Sequence, residues 1–362
     1  MECTIVLVFR YLAKEVFVTL LALTVILMFI IVSNQLVSYL NRAASGRIPG
    51  MLVLKLLLLE MPNLLTVLLP LGFYMALMLA FGRLYSENEM LVLHACGLST
   101  IKLLQYTLVM AMFVVVSVAL MVHFNPNFAS QRTRILQTSG MKAFIQMLSP
   151  QHFQELPNQQ VLYIDAINRK HTQASGLFLA QRNSDPSKTW QWQIIAANAM
   201  EMKRNAHNKD EVVMTNGQIY RMSPGALSAQ YGTFTHGVIK IPEPVLQGKN
   251  DFRTMSTMEL LAKRKQSMAL NAEFQWRLSI IIMALVLVFV AVPLSKVNPR
   301  DGKFSKILPA ILVFLIYINM LFIWRDKLSE GNWPHFNNMI MVHLTILLFG
   351  VWLLWNQKRK LS

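Results

Sequence analysis

The chain has 362 residues, of which 54% are hydrophobic and only 14% are charged. Soluble domains carry about 25% charged residues, so this composition excludes an ordinary soluble protein and indicates a membrane protein. The formal net charge of +16 does not indicate a nucleic-acid binder, because basic and aromatic residues are not concentrated in a recognition patch. Cys3 and Cys96 are too few for a disulfide framework, and neither a metal site nor a cofactor is expected.

Six apolar stretches reach the roughly 20 residues that a membrane-spanning helix needs. They cover approximately residues 16–40, 52–82, 103–122, 278–295, 307–324 and 336–355. An even number of spans puts both termini on the same side of the membrane. With cytoplasmic termini, the inner segments hold eleven Lys or Arg residues and the short outer loops hold four. The positive-inside rule therefore predicts cytoplasmic termini.

The region between the third and fourth spans has a different periodicity. Segments such as "QQVLYIDAI", "SGLFLAQR" and "YGTFTHGVIKIP" are short, alternating and rich in β-branched and aromatic residues. They predict an all-β domain, a sandwich or partly open barrel, on the extracytoplasmic side. Asn216-Gly217 predicts a hairpin turn between two strands. An apolar interior that holds acyl chains and an ordinary packed core are both compatible with this composition.

The sequence thus predicts three parts: spans one to three in residues 1–122, the β domain with a connecting helix in 123–272, and spans four to six in 273–362. The connecting helix is expected to be capped by Thr257 or Ser256, with Glu259 in its first turn, and to lead into the fourth span.

A polar detour, "FGRLYSENEMLVLHACGLST", separates the second and third spans on the cytoplasmic side. It predicts an amphipathic helix over about residues 83–97, closed by Gly97, with Ser99 capping the next element. A helix lying on the membrane surface usually carries Lys and Arg on its polar face. This segment instead presents Glu87 and Glu89, which favours docking of a soluble protein. The phosphate-binding pattern G-x-x-x-x-G-K-[ST] is absent, so we expect no ATPase activity in this chain.

Four motifs resemble one known family. They are "RYLAKEVF" at 10–17, "GRLYSENEMLVLHACGLS" at 82–99, "NAEFQWRLS" at 271–279 and "VPLSKVNPRDGKFSKILPAILVFLIY" at 292–317. Together they resemble the lipopolysaccharide export permease family LptF/LptG across both membrane halves. Within it, "LHACGLS" is more similar to the LptF branch than to the LptG branch.

The resemblance implies a non-catalytic permease subunit of an ABC exporter in the inner membrane. Its expected partners are a dimer of LptB ATPase subunits, the paralogous permease LptG, the jellyroll membrane protein LptC, lipopolysaccharide and membrane lipids. The inserted domain would be a periplasmic β-jellyroll that passes acyl chains towards the outer membrane. The segment after the second span would be a coupling helix. Glu89 lies at the family's coupling carboxylate, and the residues expected to act with it are Glu87, Arg83, Leu91, His94 and Gly97.

Residues that contact the lipid are expected near the outer membrane surface. Family members often carry basic groups at the outer end of the first span, where this chain has Gln35. The candidates that we name for substrate contact are Gln35, Arg42, Arg47, Glu60 and Arg277. Arginine binds phosphate through charge-assisted, bidentate hydrogen bonds. The alternatives are that the arginines anchor helix ends at the interface and that Glu60 reaches water at the outer surface.

Three alternative functions remain open at this point. The first alternative is an LptG-type paralogue of the same complex. The second is a membrane-anchored periplasmic lipid chaperone or scaffold without a motor. The third alternative is an ion-coupled lipid transporter that depends on intramembrane groups such as Glu60 and His343, whose scarcity argues against it.

Overall fold

The chain forms eight α-helices and six β-strands in the residues that the computed structural model describes. These residues are 2–44, 48, 50–147, 150–156, 160–168, 173–182, 191–204, 210–223, 229–239, 252–297, 302, 304–331 and 338–359. The α-helices are α1 (Glu2–Ala44), α2 (Val53–Ser86), α3 (Glu89–Ala95), α4 (Thr100–Met147), α5 (Thr257–Lys263), α6 (Met268–Leu294), α7 (Ile307–Glu330) and α8 (Ile340–Arg359). The strands are β1 (Gln154–Leu156), β2 (Gln160–Ile167), β3 (Gln173–Arg182), β4 (Trp192–Arg204), β5 (Asp210–Met222) and β6 (Gln230–Ile239).

Six of these helices are long and apolar enough to cross a membrane, as the sequence predicts. The six are α1, α2, α4, α6, α7 and α8, while α3 and α5 have only seven residues each. The helices extend beyond the predicted spans because their polar ends continue the helical backbone. α4 is the largest case, since it continues through residues 123–147, a region that we had assigned to the β domain.

The chain divides into two compact units. One consists of Met1–Ser38, Lys55–Arg132 and Asn250–Ser362, and the other consists of Tyr39–Leu54 and Thr133–Lys249. The first contains most of the length of the spanning helices, and the second contains all the strands. The boundaries at residues 122 and 272 stay predictions.

The helical unit is organised around α2 and α6, which are the most buried of its spans. α6 packs against both α7 and α8. Gly350 of α8 lies so close to α6 that a Cβ there would be 2.8 Å from the carbonyl carbon of Phe289. Close approach at a small residue is a usual way for helices to pack within a membrane.

Polar side chains add a second kind of contact between these helices. His343 of α8 is buried, and its Nδ1 atom lies 2.5 Å from the Tyr317 hydroxyl of α7. The sequence allows His343 either an ion-coupling role or a hydrogen bond to a neighbouring helix, and the structure places it in such a hydrogen bond.

The six strands form one antiparallel sheet in which each strand pairs with the next in the chain. An all-β domain between the third and fourth spanning helices is thereby confirmed. Its described strands form a meander, without a Greek-key crossover. Apolar residues from neighbouring strands, including Ile164, Leu177, Ile195 and Met214, bury one another on one face. This face makes a small apolar core of its own.

The predicted hairpin at Asn216-Gly217 is wrong, because both residues lie inside β5. Asn216 does have the left-handed backbone of such a turn, with φ 51°. However, β5 pairs with β4 and β6 on both sides of this point, with Gly217 opposite Ala197 and Phe234. A strand that pairs on both edges satisfies more backbone groups than a hairpin would. The dipeptide therefore marks a kink in a central strand.

Gly217 is required at this kink because its neighbours occupy the space of a side chain. A Cβ there would lie 2.2 Å from Cζ of Phe234 and 2.7 Å from the carbonyl oxygen of Ala196. We therefore expect Gly217→Ala to destabilise the β sheet by about 1–3 kcal/mol, the usual cost of overpacking. Limited proteolysis of the full chain in detergent should then cleave residues 133–249 faster than in the wild type.

Gly232 of β6 supplies the matched control, because a Cβ there would meet nothing within 4 Å. Gly232→Ala should leave the rate of cleavage unchanged. Equal rates for Gly217→Ala and the wild type would show that Phe234 does not pack against Gly217 in this way.

After the β domain, a separate short helix, α5, precedes the fourth spanning helix, α6. Ser256 caps α5 and Glu259 completes the capping box, as predicted. α5 ends at Lys263, and a second helix, α6, begins at Met268. The continuous connecting helix that the sequence predicts is therefore interrupted at residues 264–267.

Candidate functional site

The polar detour contains a short helix between two turns, so the single helix over about residues 83–97 that the sequence predicts is interrupted at residues 87–88. α2 ends at Ser86, and Asn88 then adopts a left-handed backbone with φ 62° before α3 begins. After α3, Gly97 turns the chain with φ 94°, a conformation that favours glycine. The backbone N–H of Lys102 donates to the Ser99 hydroxyl at 3.3 Å, so Ser99 caps α4 as predicted. We call residues 87–99 the α2–α4 connection.

The first helix holds this connection through polar contacts. The Tyr11 hydroxyl donates a hydrogen bond to Oε2 of Glu89 at 2.5 Å. Arg83, in the last turn of α2, forms an ion pair with Glu15 at 2.8 Å and lies 3.8 Å from Glu87. Tyr11 and Glu15 are four residues apart, so they lie on one face of α1. The predicted residues Glu89 and Arg83 therefore both contact α1.

His94 is directed back into its own segment. Its Nδ1 atom contacts the carbonyl oxygen of Leu98, and its Nε2 atom lies 3.3 Å from the Tyr85 hydroxyl. Met90 is completely buried, which fixes the inner face of α3. These contacts hold α3 against the end of α2 with one face outward.

The outward face of α3 is apolar, and polar residues of the connection lie beside it. Leu91 and Val92 are 67% and 60% exposed, and the Glu87 side chain is 50% exposed. Cys96 is also exposed. An apolar surface with one carboxylate at its edge is suited to a protein partner that buries the leucine and pairs the charge. Of the predicted coupling residues, Glu87, Leu91 and Gly97 are the exposed ones.

Glu60, a candidate for substrate contact, is a buried member of a polar network between α2 and α4. Its carboxylate forms an ion pair with Arg132 and accepts a hydrogen bond from the Asn63 amide at 3.0 Å. Asn63 in turn accepts from Asn125 of α4 at 3.1 Å. Glu60 is only 6% exposed. The structure therefore does not support the alternative that the Glu60 carboxylate reaches water at the outer surface.

Arg277, another candidate, uses its whole guanidinium inside the chain. Nε donates to Glu273 at 3.3 Å. The other N–H groups donate to four oxygens, which belong to the backbone of Met255, Phe252 and Arg253 and to the Thr257 hydroxyl. Five acceptors satisfy the five N–H groups of an arginine. Glu273 also accepts from Arg325 of α7 at 2.6 Å.

Two of the remaining candidates for substrate contact, Gln35 and Arg42, belong to the first helix. Gln35 is half-buried in α1. The Arg42 guanidinium lies in the last turn of α1, 5.7 Å from the centre of the Tyr39 ring. Arg47 is outside the described residues. The structure does not place Glu60 and Arg277 in one cluster, since each has its own set of partners.

Sequence reasoning did not identify Tyr11 and Glu15 as part of the site. Both stand in the motif "RYLAKEVF", and their spacing of four residues puts two polar groups on one face of an apolar helix. That spacing was the available signal. What it does not reveal is the partner, because Glu89 is 78 residues away in the chain.

The fold defines a multi-pass membrane protein in which two sets of three spanning helices flank an inserted β domain. The family model described as "Lipopolysaccharide export system permease LptF/LptG" matches residues 10–356. The lipopolysaccharide export system permease protein LptF of Escherichia coli (strain K12) is 27% identical in an alignment that covers 94% of each chain. LptF of Shigella flexneri gives the same identity and coverage.

The chain therefore belongs to the LptF/LptG family of lipopolysaccharide export permeases. It is a permease of the Lpt ABC transporter in the inner membrane, and the ATPase of that transporter is a separate subunit. The resemblance stated from the four sequence motifs is thus confirmed.

Proposed function

We propose that this chain is the LptF-type permease of the exporter and that the α2–α4 connection is where its ATPase docks. The observation that carries the proposal is the exposed surface formed by Leu91, Val92 and Glu87 beside the inward-facing Met90. A seven-residue helix that exposes two large apolar residues next to a carboxylate needs a partner surface. In an ABC exporter with a separate ATPase, that partner is the ATPase.

The other partners and the orientation form part of the same proposal. Two LptB subunits bind the cytoplasmic side, LptG provides the matching permease half, and LptC receives lipid from the β domain. Both termini are cytoplasmic and the β domain is periplasmic. The distribution of Lys and Arg between the two sides supports this orientation.

The work of this chain is mechanical. ATP-driven closure of the two LptB subunits displaces α3, and the spanning helices then close the cavity that holds lipopolysaccharide. Such coupling requires that nucleotide and lipid favour different conformations of the permease. The apolar face of the β sheet, which includes Ile164 and Leu177, gives acyl chains an environment away from water.

For lipid contact, we retain Gln35, Arg42 and Arg47 as the candidate residues. Glu60 and Arg277 have partners within the chain that neutralise or saturate them. We therefore assign these two a structural role in joining helices and keep the outer end of α1 for contact with lipid phosphates.

Leu91→Arg tests the docking surface. The side chain is exposed, so the substitution leaves the core intact, but a partner surface would have to bury an unpaired charge. We expect the ATPase to be lost when the tagged variant is purified from native membranes, with partners and bound lipid identified by mass spectrometry. Wild-type protein should retain the ATPase, an LptG-type paralogue and lipopolysaccharide.

Met258→Arg is the control, because Met258 is 75% exposed in α5, which is remote in the chain from the α2–α4 connection. This variant should keep the ATPase. Retention of the ATPase by Leu91→Arg would contradict the proposal that the ATPase docks on this surface. Wild-type protein that carries lipid without any ATPase would instead support the lipid scaffold.

A further inference from the structure

We infer that Tyr11 and Glu15 act as a two-point clamp that makes the first spanning helix move with the coupling helix. The inference rests on the proposed docking of the ATPase on the α2–α4 connection. It adds the route by which displacement of α3 reaches the rest of the permease, and it assigns Tyr11 as a positioning residue.

The first point of the clamp joins α1 directly to α3. The Tyr11 hydroxyl lies 2.5 Å from Oε2 of Glu89, the first residue of α3. A hydrogen bond from a neutral hydroxyl to a carboxylate is among the stronger ones in proteins. The Glu89 carboxylate therefore connects α1 to α3, and it also lies next to the docking surface.

The second point joins α1 to the end of α2. Arg83 pairs with Glu15 of α1 at 2.8 Å and lies within 3.8 Å of Glu87, where α2 turns into the connection. Tyr11 and Glu15 are one helical turn apart, so the two contacts prevent α1 from rotating about either of them alone. Leu12 and Val16, which directly follow Tyr11 and Glu15 in the chain, are fully buried in the helical core.

The rest of α1 is held much less tightly. Within residues 6–38 the buried side chains are Leu12, Val16 and Leu20, all in the cytoplasmic half. In the outer half, large apolar side chains such as Val25, Phe29 and Ile30 are 57–73% exposed. α1 is therefore attached to the helical core through its cytoplasmic half, next to α3, and its next buried side chain is Tyr39, which belongs to the second unit.

The length of α1 makes this attachment effective. The distance from Tyr11 to Ser38, the last residue of α1 in the helical unit, is about 40 Å at the helical rise of 1.5 Å per residue. A tilt of about 10° at the clamp would then move Ser38 by about 7 Å, given a rigid helix. A small displacement of α3 by the ATPase thus becomes a larger one near Gln35, where we expect lipid contact.

Tyr11→Phe removes the first point and keeps the ring. It is tested in the complete complex with its ATPase, in lipid bilayers that contain lipopolysaccharide. We expect the ATPase to stay bound while the lipid released per ATP hydrolysed falls about fivefold or more, since a hydrogen bond to a charged group biases an equilibrium by roughly tenfold. Spin labels on α1 at the exposed position Val37 and on α8 at Leu348 should also lose their nucleotide-dependent change in distance.

Tyr106→Phe is the matched control, because the contact of Tyr106 with α1 is a ring contact with Phe9 at 5.5 Å. It should release lipid as the wild type does. Glu15→Gln removes the second point without altering Tyr11, and we expect it to lower lipid release per ATP in the same direction.

Wild-type lipid release and wild-type distances in both Tyr11→Phe and Glu15→Gln would overturn the clamp. Loss of the ATPase from Tyr11→Phe would also overturn it, because Tyr11 would then support docking and not transmission. Leu91→Arg tests the docking surface itself separately.

Discussion

Glu273→Gln is expected to lower the free energy of unfolding by about 3–5 kcal/mol, as removal of one partner from a buried ion pair does. Glu273 is 6% exposed and its two carboxylate oxygens serve two arginines, with Arg325 at 2.6 Å and Arg277 at 3.3 Å. The neutral amide would leave both guanidinium groups without an opposite charge. Arg277 also holds the backbone of residues 252–255, so α5 and the preceding turn should loosen together with α6.

Thermal unfolding of the purified full chain in detergent measures this effect, and the amount of protein in the membrane gives a second readout. Glu330→Gln is the comparison, because Glu330 is half-exposed and pairs with Lys327 at 3.4 Å on the surface. That substitution should change the free energy by no more than about 1 kcal/mol. Equal changes in the free energy of unfolding for the two variants would mean that the Glu273 carboxylate stabilises the protein no more than a surface carboxylate does.

The pair of Glu60 and Arg132 should behave as one unit in a double-mutant cycle. Their side chains are 8% and 15% exposed, and they join α2 to α4. We expect Glu60→Gln and Arg132→Gln each to cost about 3–5 kcal/mol, because each leaves a buried charge without its partner. The double variant should cost less than the sum by up to about 3 kcal/mol, since neither charge is then present.

The cycle is checked by unfolding all four proteins under the same detergent conditions. Glu60→Gln combined with Glu330→Gln gives the reference for independent sites, and these two should add within about 0.5 kcal/mol. If Glu60→Gln and Arg132→Gln are equally additive, the ion pair does not couple α2 to α4.

Periodic features of this fold could be predicted from the sequence. The six spans follow from long apolar runs, and the β domain follows from short alternating ones. Capping was also readable, because Ser256 with Glu259, and Ser99 before α4, are local patterns of a few residues. Such features depend on neighbours in the chain, which a sequence displays directly.

Features that depend on distant partners were missed or misplaced. Asn216-Gly217 has the local chemistry of a turn, but pairing with strands on both sides keeps it inside β5. Residues 123–147 lack a spanning helix's hydropathy, so nothing local showed that α4 continues through them. Likewise, Glu89 could be chosen as a coupling residue, whereas its bond to Tyr11 depends on how α1 packs.

The two buried carboxylates differ in where their counter-charge comes from, and this difference bears on membrane insertion. Glu273 has Arg277 one turn later in the same helix, so α6 enters the bilayer with its charges already paired. Glu60 pairs with Arg132 in another helix, and the translocation machinery receives α2 before Arg132 has been synthesised. We therefore expect α2 to become fully stable in the bilayer only after α4 has been inserted beside it.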